Sequence, residues 1–404
     1  MRSSISSSDK AGKAGSPADQ SASQRLTAAD RPGVAQPVPE RPIPPRPWRA
    51  MFIVALTLTL LLTGLWEWRM RKLGLEPGDL GDGASAWAEQ RRRIDNEDVA
   101  VAIVGDSRIL YDTNLDRFAA LTGVRPVQLA LPGTNARPFL ENLAADPNFK
   151  GLVIVGISEL SYFRKETGLM ADALNHYRYE SPAQHISFWL YRDLARVLGF
   201  LDEDYRLSKL VLRLDPDLRA GVKGPYDAVW KIFMNADDRQ TWMWPRIEHD
   251  DYLREHARVI WTGLIFPGLP IADDIIAMTL ATTRKAVATI RARGGEVVFV
   301  RPPSDPVLRA IEEPRLPRAK GWDALLASAD VRGIHFDDDA AMQGLNLPEY
   351  SHLTRACATV FTDAYVRRLA QLTSRLTLRA DSPPPLAPHD CVPQTTVSSA
   401  PAAH

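Results

Sequence analysis

Cysteine is nearly missing from the chain: Cys357 and Cys391 are the only two in 404 residues. The first falls in a helical pattern and the second in a Pro-rich tail, so no disulfide framework follows and the redox compartment stays undecided. No Cys/His spacing resembles a zinc site. An excess of charge of one sign is missing too. Lys+Arg number 49 and so do Asp+Glu, which leaves no bulk attraction for nucleic acid as a partner. Aromatics are scarce in the first 47 residues, which are built from Ser, Ala, Pro, Gln and charge. Such a segment cannot bury enough apolar surface to offset its ordering entropy. A disordered tail is expected over 1–47, and again over 381–404, which is rich in Pro, Ser and Thr.

Long apolar runs are absent but for one. Ala50 to Leu65 carries no charge and is flanked by Trp48 on one side and by Trp66 and Trp68 on the other. That is the pattern of a bilayer-spanning helix with an aromatic belt. A transmembrane helix is expected over 48–68, as a signal-anchor. The run lies too far from Met1 for a cleaved signal, and no small-residue cleavage site follows. Flanking charges nearly balance, with Arg41, Arg46 and Arg49 before it and Arg69, Arg71 and Lys72 after it. The long chain behind an uncleaved anchor therefore sets the expected topology: single-pass, tail cytoplasmic, domain extracytoplasmic (periplasmic). Residues 69–97 read as a polar linker.

The composition of 98–380 is that of a globular domain. Strand-like runs occur at Val99–Val104, Val127–Leu131, Leu152–Ile157, Glu296–Arg301 and Gly333–Asp337. Helical patterns at Leu115–Leu121, Arg137–Leu143, Ala272–Arg293 and Thr354–Leu376 separate or follow them. Such alternation predicts an α/β fold, a flavodoxin-like three-layer sandwich on a five-stranded parallel sheet. The interval between the third and fourth strands far exceeds a crossover. Residues 163–270 therefore read as a helical insertion, or a lid at the strand ends. Its Trp189, Trp230, Trp242, Trp244 and Trp261 read as core. His176, His185, His249 and His256 lack partner spacing and read as structural or exposed, and His335 as a packed core histidine.

Three short stretches carry chemistry. The first strand ends in Gly105-Asp106-Ser107-Arg108, where open α/β sheets bind ligands. Taken alone, Ser107 could simply cap the helix that follows, with Asp106 shaping the turn. The second strand ends in Leu131-Pro132-Gly133-Thr134-Asn135, and a loop before the last helix reads Glu349-Tyr350-Ser351-His352. Serine is a weak nucleophile that needs an imidazole to take its proton and a carboxylate to fix the imidazole's tautomer. Glu349 and His352 are close enough in sequence to supply that pair. Arg301, at the end of the fourth strand, points toward the same edge and is a candidate for substrate contact or a plain loop residue. Arg108 is a candidate for stabilising the site or binding an anionic substrate, or is simply solvated.

Together these stretches resemble the SGNH (GDSL-type) hydrolase superfamily over roughly residues 98–376. Gly105-Asp106-Ser107 matches its first block, which implies Ser107 as nucleophile, with its backbone N–H binding an oxyanion. Gly133 matches the second block, whose glycine N–H is the next oxyanion donor. The last block is Asp-x-x-His and reads Glu349-x-x-His352 here, implying His352 as base and Glu349 as its orienter. The third block, Gly-x-Asn-Asp, is replaced by Gly156-Ile157-Ser158-Glu159, so its asparagine donor is missing. The amide of Asn135 or the hydroxyl of Ser158 could stand in.

The resemblance implies acyl transfer at an ester without metal or cofactor. Membrane-tethered relatives work on acyl groups of envelope polysaccharides beside a multi-spanning membrane acyltransferase. An esterase or O-acyltransferase on an envelope glycan is the expectation. The alternatives are a catalytically inactive scaffold or glycan-binding accessory protein of such a complex, and an anion-binding module using Gly105–Arg108 at a helix N-terminus.

Overall fold

The computed structural model of the protein describes residues 47–165, 168–213 and 231–392. The expected tail over 1–47 lies almost wholly outside them, as do Trp230 and 393–404. The chain divides into two units, Met1–Leu60 and Leu61–His404. Helix α1 (Trp48–Lys72) runs through the boundary. Among the described residues it is the one helix long and apolar enough to cross a membrane. Phe52, Ile53 and Leu60 in the first unit are exposed.

In the second unit, α2 (Ala84–Asn96) precedes β1 (Val101–Val104), α3 (Ser107–Asp112), α4 (Leu115–Thr122) and β2 (Val127–Gln128). Then come α5 (Arg137–Ala145), β3 (Leu152–Gly156), α6 (Glu159–Tyr162), α7 (Gly168–Tyr179), α8 (Pro182–Ala195) and α9 (Leu207–Arg213). A hairpin of β4 (Phe233–Asn235) and β5 (Thr241–Met243) leads to α10 (Pro245–His249), α11 (Asp251–Ile260) and α12 (Asp273–Ala292). The chain ends through β6 (Glu296–Arg301), α13 (Pro306–Glu312), α14 (Ala324–Ala329), β7 (Gly333–His335) and α15 (Arg355–Leu372). The fold is α/β.

Five strands form one parallel sheet in the order β2-β1-β3-β6-β7. Alternate residues of the central strands feed two separate cores, because successive side chains point to opposite faces. Val101, Ile103, Ile154 and Val298 pack with Leu110, Phe118, Phe361 and Tyr365 from α3, α4 and α15. Ala102, Val104, Val155 and Phe299 pack with Phe139, Leu143 and Ile290 from α5 and α12. Burial on both faces is why these strands read as continuous rather than alternating runs. The β2 edge is short and closed off. Arg239 donates to the carbonyls of Gln128 and Ala130, and Trp87 Nε1 to that of Leu129 at 2.8 Å.

Two expectations fail here. Residues 69–97 are no simple linker, since α2 buries Trp87 and Ile94 in the second core. Its Arg91 is neutralised by Asp95 and Asp146 and hydrogen-bonded to Asn142, so the arginine run does not keep it in solvent. Nor are 381–392 a free tail. Cys391 is joined to Cys357 of α15 in a disulfide, the Leu386 N–H donates to Asp363, and Arg117 donates to the Pro384 carbonyl. Trp244 is core as expected, Trp242 and Trp261 are half-buried, and Trp189 is exposed. His335 is packed between Trp322 and Phe336. Of the four histidines between β3 and α12, His176 and His185 contact Glu180, His249 is exposed and His256 is half-buried beside Tyr252.

Candidate active site

At the C-terminal edge of the sheet, β1 hands the chain to α3 through Gly105 and Asp106. A side chain on Gly105 or Gly156 would collide with Ile109, at 2.2 Å in both cases. The two glycines therefore let α3 sit directly on the ends of β1 and β3. Asp106 caps α3 by accepting from the Arg108 N–H at 3.1 Å. Ser107 is thus freed from the capping role, and it is the one residue of 101–112 that is not buried.

His352 and Glu349 sit in the loop before α15. Tyr350 between them adopts φ 75°, a left-handed conformation that costs a non-glycine residue roughly 1–2 kcal/mol. That turn folds Glu349 back onto His352. His352 Nε2 lies 2.9 Å from Ser107 Oγ, and Nδ1 lies 3.0 Å from Glu349 Oε1. An ionised carboxylate only accepts, so Nδ1 carries the proton and Nε2 is left to accept from the serine hydroxyl. Glu349 also accepts from the backbone N–H groups of Ser351 and His352 and from Trp261 Nε1. Burial pushes its carboxyl upward, but the adjacent His352 ring and these hydrogen bonds outweigh burial and hold it below the usual range. Tyr111 closes the other side of the imidazole, ring centroids 4.5 Å apart.

The oxyanion candidates divide. Leu131 N–H donates to the Gly105 carbonyl at 3.1 Å, which brings the turn after β2 beside Ser107. Gly133 there has φ 70°, a conformation that favours glycine. Neither the Ser107 nor the Gly133 N–H has an acceptor among the described residues. Asn135 is fully buried. Its Oδ1 accepts from the Arg137 N–H, and its Nδ2 faces the Arg164 carbonyl at 3.5 Å. Its amide is taken up in the turn. Ser158 is buried as the residue before α6 and makes no capping bond through its side chain.

Both arginines proposed for substrate contact are turned inward. Arg108 donates from Nε to Ser351 Oγ at 3.3 Å, pairs with Glu312 and lies over the Phe266 ring. Arg301 pairs with Glu159 and Glu312, each at 3.0 Å, and donates to Ser304 and the Pro302 carbonyl. Burial pushes the Glu312 carboxyl up, but the two guanidinium charges bring it down to about 2. Two positive and two negative charges close on one another, and neither arginine presents its charge to solvent.

Sequence reasoning read Trp261 as core and did not single out Tyr111 or Glu312. Trp261 opens a π-helical turn, Trp261–Ile265, after α11, a distortion common at functional sites, but a lone tryptophan carries no spacing that points to a carboxylate 88 positions away. A cavity of about 360 Å³ opens beside the β2 turn, lined by Leu131, Pro132, Phe233, Asp202 and Lys231 among others. Phe233 stacks on Tyr111, which itself packs on His352. No protein-family model matches the chain, and no curated protein does either.

Proposed function

We propose that the chain is a membrane-anchored serine esterase or O-acyltransferase of the SGNH type, acting on acyl esters, acetyl foremost, of an envelope polysaccharide. The observation that carries this reading is the relay Ser107–His352–Glu349, with contacts of 2.9 and 3.0 Å. In this reading the fold is a flavodoxin-like sandwich, and 163–270 is an insertion whose Trp261 steadies the acid.

His352 Nε2 removes the Ser107 proton as Oγ attacks the ester carbonyl. The tetrahedral oxyanion is met by the N–H groups of Ser107 and Gly133. Its collapse breaks the bond to the sugar oxygen, which takes the proton back from Nε2, and leaves an acyl-serine. Water or a second sugar hydroxyl, deprotonated by His352, then attacks the acyl-serine and regenerates the enzyme. A neutral acylated sugar suits a site whose arginines are both ion-paired. The Cys357–Cys391 disulfide favours an oxidising compartment, consistent with an exported domain. Substrate glycan and any multi-spanning acyltransferase would meet the domain there, beside the bilayer.

The engagement of Asn135 in its turn favours a second reading, an inactive glycan-binding scaffold, since one lost oxyanion donor costs about 2.7–4 kcal/mol of activation. Labelling the detergent-solubilised full chain with a fluorophosphonate separates the two. The wild type should label and hydrolyse an aryl acetate, and Ser107→Ala should lose the label and lower turnover roughly 10⁴-fold or more. Equal, background labelling of both proteins leaves the scaffold.

A further inference from the structure

Helix α8 presents an apolar stripe to solvent. Ile186, Trp189, Leu190 and Leu194 of α8, and Val197 in the turn just past it, are each about half or more exposed, from 49% for Trp189 to 60% for Leu190. Their spacing of three and four places them on one helical face. The opposite face is turned to the domain: Ala195 is buried, Tyr191 Oη accepts from the Gly81 N–H at 3.0 Å, and Arg192 pairs with Glu89 at 2.6 Å. Asp193, paired with Arg196 at 2.8 Å, interrupts this face toward its C-terminal end. Scattered exposed apolar residues are ordinary, but such a grouping on one helix face marks a surface that something covers.

The chain beyond α8 says what covers it. Residues Leu61–Lys72 of α1 belong to the same compact unit as α8. Glu67 accepts from the N–H groups of Gly199 and Phe200 at 3.0 and 2.9 Å, and Arg71 donates to the Val197 carbonyl at 3.1 Å. Trp66 and Phe200 pack against the first core, and Met70 is buried in it. Leu61–Lys72, the end of α1, is therefore packed into its own unit with no slack. Trp66, Trp68, Arg69, Arg71 and Lys72 mark the bilayer–water boundary of a spanning helix, so Val197–Phe200 lie at headgroup level. Just past them, α9 exposes Leu207 and Val211. Apolar surface thus continues on both sides of the docked segment.

The geometry points to a second membrane contact: α8 lies in the bilayer interface with its Ile186–Leu194 face in the acyl boundary, holding the domain against the membrane. The inference rests on α1 as a membrane anchor and is independent of the ester chemistry. Because Cys357 and Cys391 are joined, a single introduced cysteine can be labelled in the full chain. Nitroxides at Ile186→Cys and Leu190→Cys, with the protein reconstituted in vesicles of phosphatidylcholine and phosphatidylglycerol, should be relaxed more by oxygen than by a water-soluble nickel chelate. Asp323→Cys, an exposed position on the far side of the sheet order, should show the reverse. Water exposure at 186 and 190 like that at 323 overturns the proposal. So does dipolar broadening between labels, which would put a second copy on the stripe, or protection from both reagents, which would put protein there. A label at Leu58→Cys reports the anchor separately. If it too is water-exposed, α1 does not span, and the proposal falls with it.

Discussion

The triad and the arginine network lie side by side at one sheet edge, joined where Arg108, next to Ser107 in the chain, donates to Ser351, next to His352. Both are polar, and both are built around a buried glutamate. They differ in balance. In the network, Glu312 and Glu159 meet Arg108 and Arg301, charge for charge. In the triad, one carboxylate faces an imidazole whose outer nitrogen meets a hydroxyl at the surface. A charge-balanced ionic cluster can only hold its parts in place, whereas a donor–acceptor chain ending at solvent has a proton that can move. The contrast teaches which residues to expect in rate and which in stability.

The largest effect that sharpens the contrast is on rate. Glu349→Gln should cut acyl turnover roughly 10³–10⁴-fold, since an amide no longer fixes the tautomer or steadies the imidazolium, while the chain still folds. The circular-dichroism melt and the aryl acetate assay check the two halves of that statement. Glu312→Gln should act the other way round. It leaves two guanidinium groups facing one carboxylate in a buried site, and about 3–5 kcal/mol of stability should be lost. The sign with pH is fixed. A carboxyl held at about 2 contributes stability that is complete above the ordinary carboxylate range and fades as pH falls toward 2. Denaturant titrations of wild type and variant should therefore converge in acid and stand furthest apart at neutral pH. A Glu312→Gln chain as stable as wild type would mean that the network is no keystone.

What was legible in the sequence was local. A continuous apolar run ending in Gly-Asp-Ser announces β1 and Ser107, and a carboxylate three residues before His352 announces its partner, because neighbours in sequence make those contacts. Residues that act through distant partners were not legible. Arg301 meets Glu159, 142 positions away, and Arg108 meets Glu312, 204 away, so nothing near either charge in the sequence announces its partner. Three consecutive arginines hid α2, whose Trp87 and Ile94 still form a buried stripe. Cys391 sits in a Pro-rich stretch that composition alone assigns to disorder, and its disulfide to α15 is invisible to spacing.

Trp261→Phe makes a finer cut across the comparison. It removes one donor from Glu349 and keeps the ring, so turnover should fall roughly tenfold to a hundredfold, in line with a charge-assisted hydrogen bond of about 1.5–3 kcal/mol. Rescue of neither rate nor label is expected from changes in the arginine network, whose members do not touch the imidazole. A fall as large as that of Glu349→Gln would show that the tryptophan, not the carboxylate, sets the base.

The smallest effect concerns Asp112, at the end of α3 behind the triad. It is fully buried, its Oδ1 accepts from the Leu353 N–H at 2.9 Å, and its Oδ2 has no partner among the described residues. Burial raises its carboxyl well above the ordinary value, the Glu349 and Asp106 charges add to the rise, and the Leu353 bond and the Arg108 charge oppose it. The folded chain therefore keeps a proton that the unfolded chain has already released. Stability declines as pH rises above the ordinary carboxyl range, the opposite slope to that from Glu312. Asp112→Asn keeps the acceptor for Leu353 and removes the titration. Its melting temperature should match wild type near pH 4 and exceed it by a few degrees at neutral pH, about 1 kcal/mol, with turnover unchanged. Parallel melting curves for the two proteins across that range would show that Asp112 is ionised in the fold and that the triad is backed by charge on both sides.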